Sequence, residues 1–219
     1  MARSAKISLP IQDELESQEQ LSLFATRRIE EVIESVPSRI EKKPATRAKR
    51  QANYSAADIK VLEGIAAIRH RPGMYIGSTS SSGLLHLLWE ALSNAVDEAV
   101  AGYGNHIWVS LERDGWMTVR DEARGMPFDP MLYQGHYSPA ATIILTIPHS
   151  GGKFEEGVYK TAGGLHGVGA TVINALSEKL ELTIWKDGKQ FTQIFRHGAA
   201  MPHQIKTCDP KLHGTQVFI

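Results

Sequence analysis

The sequence predicts an α+β layer structure, with a mixed but mostly antiparallel sheet covered by helices on one face. Three observations carry that prediction. Alternating apolar residues run twice into an Asp-Gly pair, Asp114-Gly115 after Ile107, Val109 and Leu111, and Asp187-Gly188 after Leu180, Leu182 and Ile184, which marks tight hairpins between antiparallel strands. A long segment carries Leu84, Leu87, Leu88, Ala91, Leu92, Ala95 and Ala99 at helical spacing. Further helical stretches alternate with the hairpins, and such a mixture buries its apolar faces as stacked layers.

Residues 1–53 are polar, poor in aromatics and interrupted by Pro10, Pro37 and Pro44. They read as a mobile extension with at most one helix, over Gln18 to Ser35, where Leu21, Leu23, Phe24, Ile29, Val32 and Ile33 fit helical spacing loosely. Residues 54–219 read as one domain. It starts with a short helix containing Leu62, Ile65 and Ile68 that must end before Pro72, because the residue preceding proline avoids helical geometry. Ser80 to Ser82 offer caps for the long helix that follows. Ser138-Pro139 reads as the cap and first position of another helix that stops at Pro148. Val168, Val172, Ile173 and Leu176 mark a helix after a glycine-rich stretch, and Gly214 to Ile219 is strand-like.

Composition narrows the class. The chain has 219 residues, 42 % hydrophobic and 22 % charged, as in an ordinary globular protein. No run of about 18 apolar residues is present and no apolar block follows the N-terminal charges, so a cytoplasmic location without a membrane span is expected. The one cysteine, Cys208, excludes an internal disulfide framework. The net charge is zero, which does not suit a chain whose main task is gripping DNA. A basic run of Arg39, Lys42, Lys43, Arg47, Lys49 and Arg50 reads first as a solvated linker and second as a nucleic-acid contact.

Three groups of residues carry chemistry. On the long helix His86, Glu90 and Asn94 fall at i, i+4 and i+8, on one face beside the apolar stripe. A carboxylate within reach of an imidazole can act as general base toward water, and an amide oxygen one turn on can take a hard cation such as magnesium; from spacing alone a solvated helix face is the plainer reading. Asp121 shares strand parity with Met117 and Val119, which points its carboxylate toward the core, where it needs partners. An adenine amino group would satisfy it, and so would a structural backbone or arginine donor. Glycines at 151, 152, 157, 163, 164, 167 and 169 lead into a helix, where backbone amides suit phosphate and Lys153 and Lys160 can add charge; flexibility alone is the plainer reading. No GxxxxGK[ST] sequence exists, so a P-loop is excluded.

Taken together, Glu90 to Asn94 (EALSN), Asp121 to Gly125 (DEARG), Gly163 to Gly169 (GGLHGVG) and Gly214-Thr215 resemble the four ordered motifs of the gyrase, heat-shock chaperone, histidine kinase and MutL ATPases. Within that superfamily Val61 to Gly77 (VLEGIAAIRHRPGMYIG), Asn94 to Gly102 (NAVDEAVAG) and GGKF followed by YKTAGGLHGVGATVINALS resemble the type IIA topoisomerase B subunits, of the gyrase B or topoisomerase IV B kind. The resemblance spans Tyr54 to Ile219. It implies a Bergerat-type two-layer sandwich and an ATP site with Mg2+. Glu90 would be the base that polarises the attacking water, with His86 assisting, and Asn94 would ligate magnesium. Asp121 would bind the adenine amino group, supported through water by Thr215. Asp97, Gly125, Lys153 and the loop residues Gly164, Leu165, His166, Gly167, Val168 and Gly169 would complete the nucleotide site. Tyr54, Ile59 and Tyr75 match residues that help an N-terminal arm reach the other protomer.

The resemblance further implies a topoisomerase A subunit and DNA as partners in the full assembly, and an ATP-dependent homodimer of the full-length B subunit. The family's following domain supplies a lysine to the γ-phosphate, so the isolated chain is expected to be a monomer that binds ATP and hydrolyses it weakly. Three positions depart from the pattern. Ala123 replaces the first glycine of the adenine motif, Lys186 replaces arginine at the pocket mouth, and Thr142 stands where an acidic residue is common. Ala123 and the unmatched basic extension motivate a rival reading, a catalytically silent nucleotide-binding or interaction module; a chaperone or MutL branch ATPase is a second, opposed by RPGMYIG and GGKF.

Overall fold

In the computed structural model, residues 3–8, 61–112, 115–151 and 167–219 are described, the first six as backbone only. Among the described residues the longest element is helix α3, Ser81–Val100, preceded by α1 (Gly64–His70) and the single turn α2 (Gly73–Ile76). α3 buries Leu87, Leu88, Ala91, Leu92 and Ala95, the expected stripe, while Leu84 stays exposed. Ser80 has the extended backbone of an N-cap, but its hydroxyl bonds to those of Ser78 and Ser82 instead of capping the helix. At the other end Gly102 takes φ +89 and Tyr103 N donates to Glu98 O, closing the helix in a left-handed turn. Leu62 lies outside α1 and is exposed, so the first helix starts later than its spacing predicts.

The strands are β1 (Arg3–Ser8), β2 (His106–Leu111), β3 (Met117–Asp121), β4 (Pro130–Tyr133) and β5 (His136–Pro139). After helices α4 (Ala140–Thr146) and α5 (Gly169–Leu176) come β6 (Lys179–Lys186), β7 (Lys189–Arg196), β8 (Ala199–Ala200), β9 (Gln204–Thr207) and β10 (Gly214–Phe218). The main sheet runs β1-β2-β3-β10-β6-β7-β8, with β9 also on β7, and every pairing is antiparallel. Both anticipated hairpins are present. At the second, Asp187 (φ 51) and Gly188 (φ 70) form the two-residue turn with both φ positive that matches strand twist.

Two elements differ from the sequence reading. Arg3–Ser8 is a strand paired along all of β2, whereas the segment reads as extension; six residues with two charges and no turn signal carry little strand pattern. The helix expected at Gln18 to Ser35 lies outside the described residues. Ser138 is not a helix cap: Ser138 and Pro139 end the β4–β5 hairpin, which turns at Gln134 (φ 48) and Gly135 (φ 82), and α4 begins at Ala140 with Pro139 as its N-cap.

One core lies between the helices and the sheet, built from α3, α5, Ile68 and the inward residues Ile107, Val109, Val119, Leu180, Leu182, Ile184, Phe191 and Phe195. α5 is buried almost all round, and its Asn174 donates to Leu145 O and Gly198 O while Thr171 donates to Ile144 O and Ile147 O. On the opposite sheet face the Arg120 guanidinium lies over the rings of Trp108 and Trp185, 5.3 and 4.7 Å from their centroids.

Candidate functional site

The parity argument for Asp121 holds: it ends β3 on the helix-covered face and is buried with Val119. Its Oδ1 accepts from Ala123 N at 2.9 Å and from Thr215 N at 3.1 Å. Both backbone donors converge on one oxygen, and among the described residues no side chain donates to the other. Burial pushes the carboxyl up from 3.8 to about 6; the two backbone donors pull against burial, Glu98 adds to the rise and Arg120 opposes it. The structural partners foreseen for this carboxylate are thus two backbone N–H groups.

Two glycines bring the segments together. Gly214, at φ +116, sits so close to the end of β3 that a side chain would overlap Asp121 O and lie 2.9 Å from Glu122 Cα. Gly125, at φ +77, would place a Cβ 2.7 Å from Trp185 O. With both unsubstituted, Thr215 N reaches Asp121 and Thr215 Oγ1 accepts from Met126 N at 3.0 Å. Ala123 keeps φ outside the left-handed region and is only 3 % exposed, its carbonyl accepting from His213 Nδ1 at 3.0 Å. Alanine here thus carries no backbone strain, and its methyl is packed inside.

α3 packs against both β3 and α5. His86 Nε2 lies 3.4 Å from Glu90 Oε1, with the two side chains 44 % and 30 % exposed, so the pair borders open space. The second oxygen, Glu90 Oε2, lies against Gly169 at the first turn of α5, where helix N–H groups point outward. Asn94 is half-buried one turn further, and Asp97 is buried. Gly167 (φ 60) and Val168 lead into α5, and His149 N donates to Gly167 O at 3.1 Å, which ties together the two ends of the glycine-rich segment. Lys153, Gly164, Leu165, His166, Tyr54 and Ile59 lie outside the described residues. Tyr75 packs against the core, and Lys186 ends β6 beside the Asp187-Gly188 turn.

An ion pair absent from the sequence reading borders the site. Arg124 Nε and Nη2 each donate at 2.9 Å to a different oxygen of Glu98, and the guanidinium stands 3.9 Å from the ring centroid of Tyr103. Glu98 continues the i, i+4 row of His86, Glu90 and Asn94, so the row itself carried the signal. Thr142 has a partner too: its Oγ1 donates to Gln193 Oε1 at 2.7 Å, and Gln193 Nε2 donates to Met201 O at 2.8 Å.

This arrangement, a sheet carboxylate facing a helix that bears a glutamate at the mouth of a glycine-rich helix start, defines a class. Residues 79–206 match the family described as Histidine kinase-, DNA gyrase B-, and HSP90-like ATPase, and the chain belongs to that family. Within it the domain is that of a type IIA topoisomerase B subunit. The chain is 48 % identical over 171 residues to the B subunit of DNA topoisomerase 4 from Caulobacter vibrioides, covering 78 % of this chain and 24 % of the relative. It is 52 % identical over 146 residues to the B subunit of DNA gyrase from Staphylococcus epidermidis, covering 67 % and 22 %. The chain spans about a quarter of the length of these curated relatives. The crystal structure of the 43K ATPase domain of Thermus thermophilus gyrase B in complex with an aminocoumarin aligns at a TM-score of 0.59 and 40 % identity, over 72 % of this chain and 38 % of that one. Among the described residues no helix is long and apolar enough to cross a membrane.

Proposed function

We propose that the cleft bounded by α3, the end of β3 and the start of α5 binds ATP and supports its hydrolysis. The observation that carries this reading is the placement of two carboxylates in different settings: Asp121 buried on paired backbone donors, and Glu90 partly open to solvent beside His86. The buried one is suited to recognise the adenine amino group; Thr215 fixes it, through a backbone N–H where the family resemblance implies a water. The open one is suited to take a proton from water as the water oxygen bonds to the γ-phosphorus, the bond to the bridging oxygen breaks and ADP leaves. His86 holds the carboxylate in place. Gly125, Asp97 and the amides of Gly164, Leu165, His166, Gly167, Val168 and Gly169, with Lys153, complete the nucleotide's surroundings.

Mg2+ would be held through Asn94, with phosphate oxygens and water as its other ligands; the ion would offset phosphate charge. Residues 54–219 form the ATP-binding domain, with 1–53 as an N-terminal extension whose first strand adds to the sheet edge. In its full-length form the chain would work with a topoisomerase A subunit on DNA, dimerising on ATP to drive strand passage, while the isolated chain is a monomer with weak turnover. The rival reading of a silent module draws on Ala123, whose backbone carries no strain, and on the basic extension; nucleotide titration discriminates it.

Calorimetric titration with a non-hydrolysable ATP analogue and magnesium tests the binding half: saturable binding abolished by Asp121→Ala is expected, and no binding to the wild-type chain refutes it. A coupled phosphate-release assay tests the other half, where rapid turnover by the isolated chain would overturn the weak-fragment reading.

A further inference from the structure

Gly169 begins α5, and the space of its missing side chain is filled by another residue. A Cβ built there would overlap Glu90 Oε2 and lie 3.0 Å from Glu90 Cδ and 3.5 Å from Glu90 Cβ. Among the described residues no other group comes as close. The backbone does not require glycine, because Gly169 lies outside the left-handed region where side chains are strained. Nor does a phosphate contact through its N–H, since alanine has the same N–H. Among the described residues, what glycine supplies and alanine removes is the space occupied by the Glu90 carboxylate.

We propose that Gly169 is a positioning residue for the hydrolytic glutamate: its bare Cα lets Glu90 lie against the first turn of α5, and any side chain there turns the carboxylate away from the nucleotide. This rests on the reading of Glu90 as base. The contact sets where the carboxylate points from two sides, with His86 3.4 Å from one oxygen and the Gly169 backbone against the other. Because the group displaced by a methyl is the end of a flexible side chain, the fold absorbs the change while the geometry of water attack does not; a carboxylate displaced by about 1 Å costs on the order of 100-fold in rate.

The test compares wild type, Gly169→Ala, Glu90→Gln and the double variant in the full chain. Three quantities are read: affinity for a non-hydrolysable ATP analogue with magnesium, phosphate release in a single turnover with protein in excess over ATP, and the thermal midpoint. Gly169→Ala is expected to slow release by about tenfold or more while analogue affinity stays within about threefold, and to have no further effect in the Glu90→Gln background. If Gly169→Ala lowers the midpoint, adding Glu90→Ala removes the group that the methyl meets and restores it; a midpoint that stays low overturns the proposal. Equal slowing in both backgrounds, or a matching loss of analogue affinity, also overturns it. A rate that falls in Glu90→Gln but not in Gly169→Ala refutes the positioning role alone. A rate untouched by Glu90→Gln refutes the reading of Glu90 on which the positioning role rests.

Discussion

Arg124 grips Glu98 through two N–H···O bonds of 2.9 Å, one to each carboxylate oxygen, and its guanidinium rests on the Tyr103 ring. The pair stands beside Asp121, whose carboxyl the Glu98 charge already helps to raise. Arg124→Ala is expected to cost about 1 kcal/mol in urea unfolding, since the pair is bidentate and partly shielded. With Glu98 left uncompensated, Asp121 should titrate at a higher pH than in the wild type. Glu98→Gln should move it the other way. The pH dependence of analogue binding in the two variants reads both shifts.

Asp121 itself links pH to stability in a defined direction. A carboxyl raised from 3.8 to about 6 binds more protons folded than unfolded, so its stabilising contribution is complete below 3.8 and is lost as pH rises to about 6. The loss is on the order of 3 kcal/mol. Asp121→Asn keeps an oxygen acceptor for Ala123 N and Thr215 N without a charge. It should therefore be more stable than wild type at pH 8, by up to about 3 kcal/mol, and nearly equal to it near pH 4. Thermal unfolding at the two pH values checks this; a variant less stable at both would contradict it. Binding of the analogue should fall in this variant at every pH, and in wild type only below about pH 6, where the carboxyl gains its proton.

Thr142 is tied to a buried amide. Thr142→Val removes the hydroxyl that donates to Gln193 Oε1, and should cost about 1–3 kcal/mol with an unchanged denaturant slope. Thr142→Glu meets the same amide with an acceptor. Gln193 can donate to it only by turning its Nε2 away from Met201 O. A change in protection of the β7–β8 amides in hydrogen exchange would follow from that turn in Thr142→Glu and not in Thr142→Val.

Arg120 is held by ring faces, and among the described residues its buried Nε has no hydrogen-bond partner. Arg120→Ala should cost about 1–2 kcal/mol from two cation–π contacts and lost packing. Arg120→Lys should restore only part of it, for want of the planar guanidinium. Intrinsic fluorescence, to which Trp108 and Trp185 contribute, should change in both variants before any unfolding.

Much of this architecture could be read locally. The alternation in β6 and β7 with Asp187-Gly188 between them needs no distant partner, and the stripe on α3 is a matter of spacing. Asp121 was legible by parity, and His86 and Glu90 by their i, i+4 relation. What resisted were relations set by distant segments. Nothing near Arg124 announces that Glu98, 26 residues earlier, will meet it. The purpose of Gly214 is likewise invisible until β10 lies against β3, and Ser138-Pro139 reads as a helix start because its cross-strand partners, Met131 and Pro130, are themselves weak strand formers. Ala123 stands out in the sequence as a missing motif glycine, and only the structure shows that its backbone is unstrained.

β10 lies between β3 and β6, although almost a hundred residues separate it from β3 along the chain. As the polypeptide leaves the ribosome, the β2–β3 and β6–β7 hairpins can form early, but each keeps one raw edge until Gly214–Phe218 emerges to join them. Until then Asp121 lacks the Thr215 amide, and the two halves of the sheet remain separate folding units with strand edges open to other chains. A nascent chain stalled before β10 therefore presents both of these unpaired strand edges to aggregation.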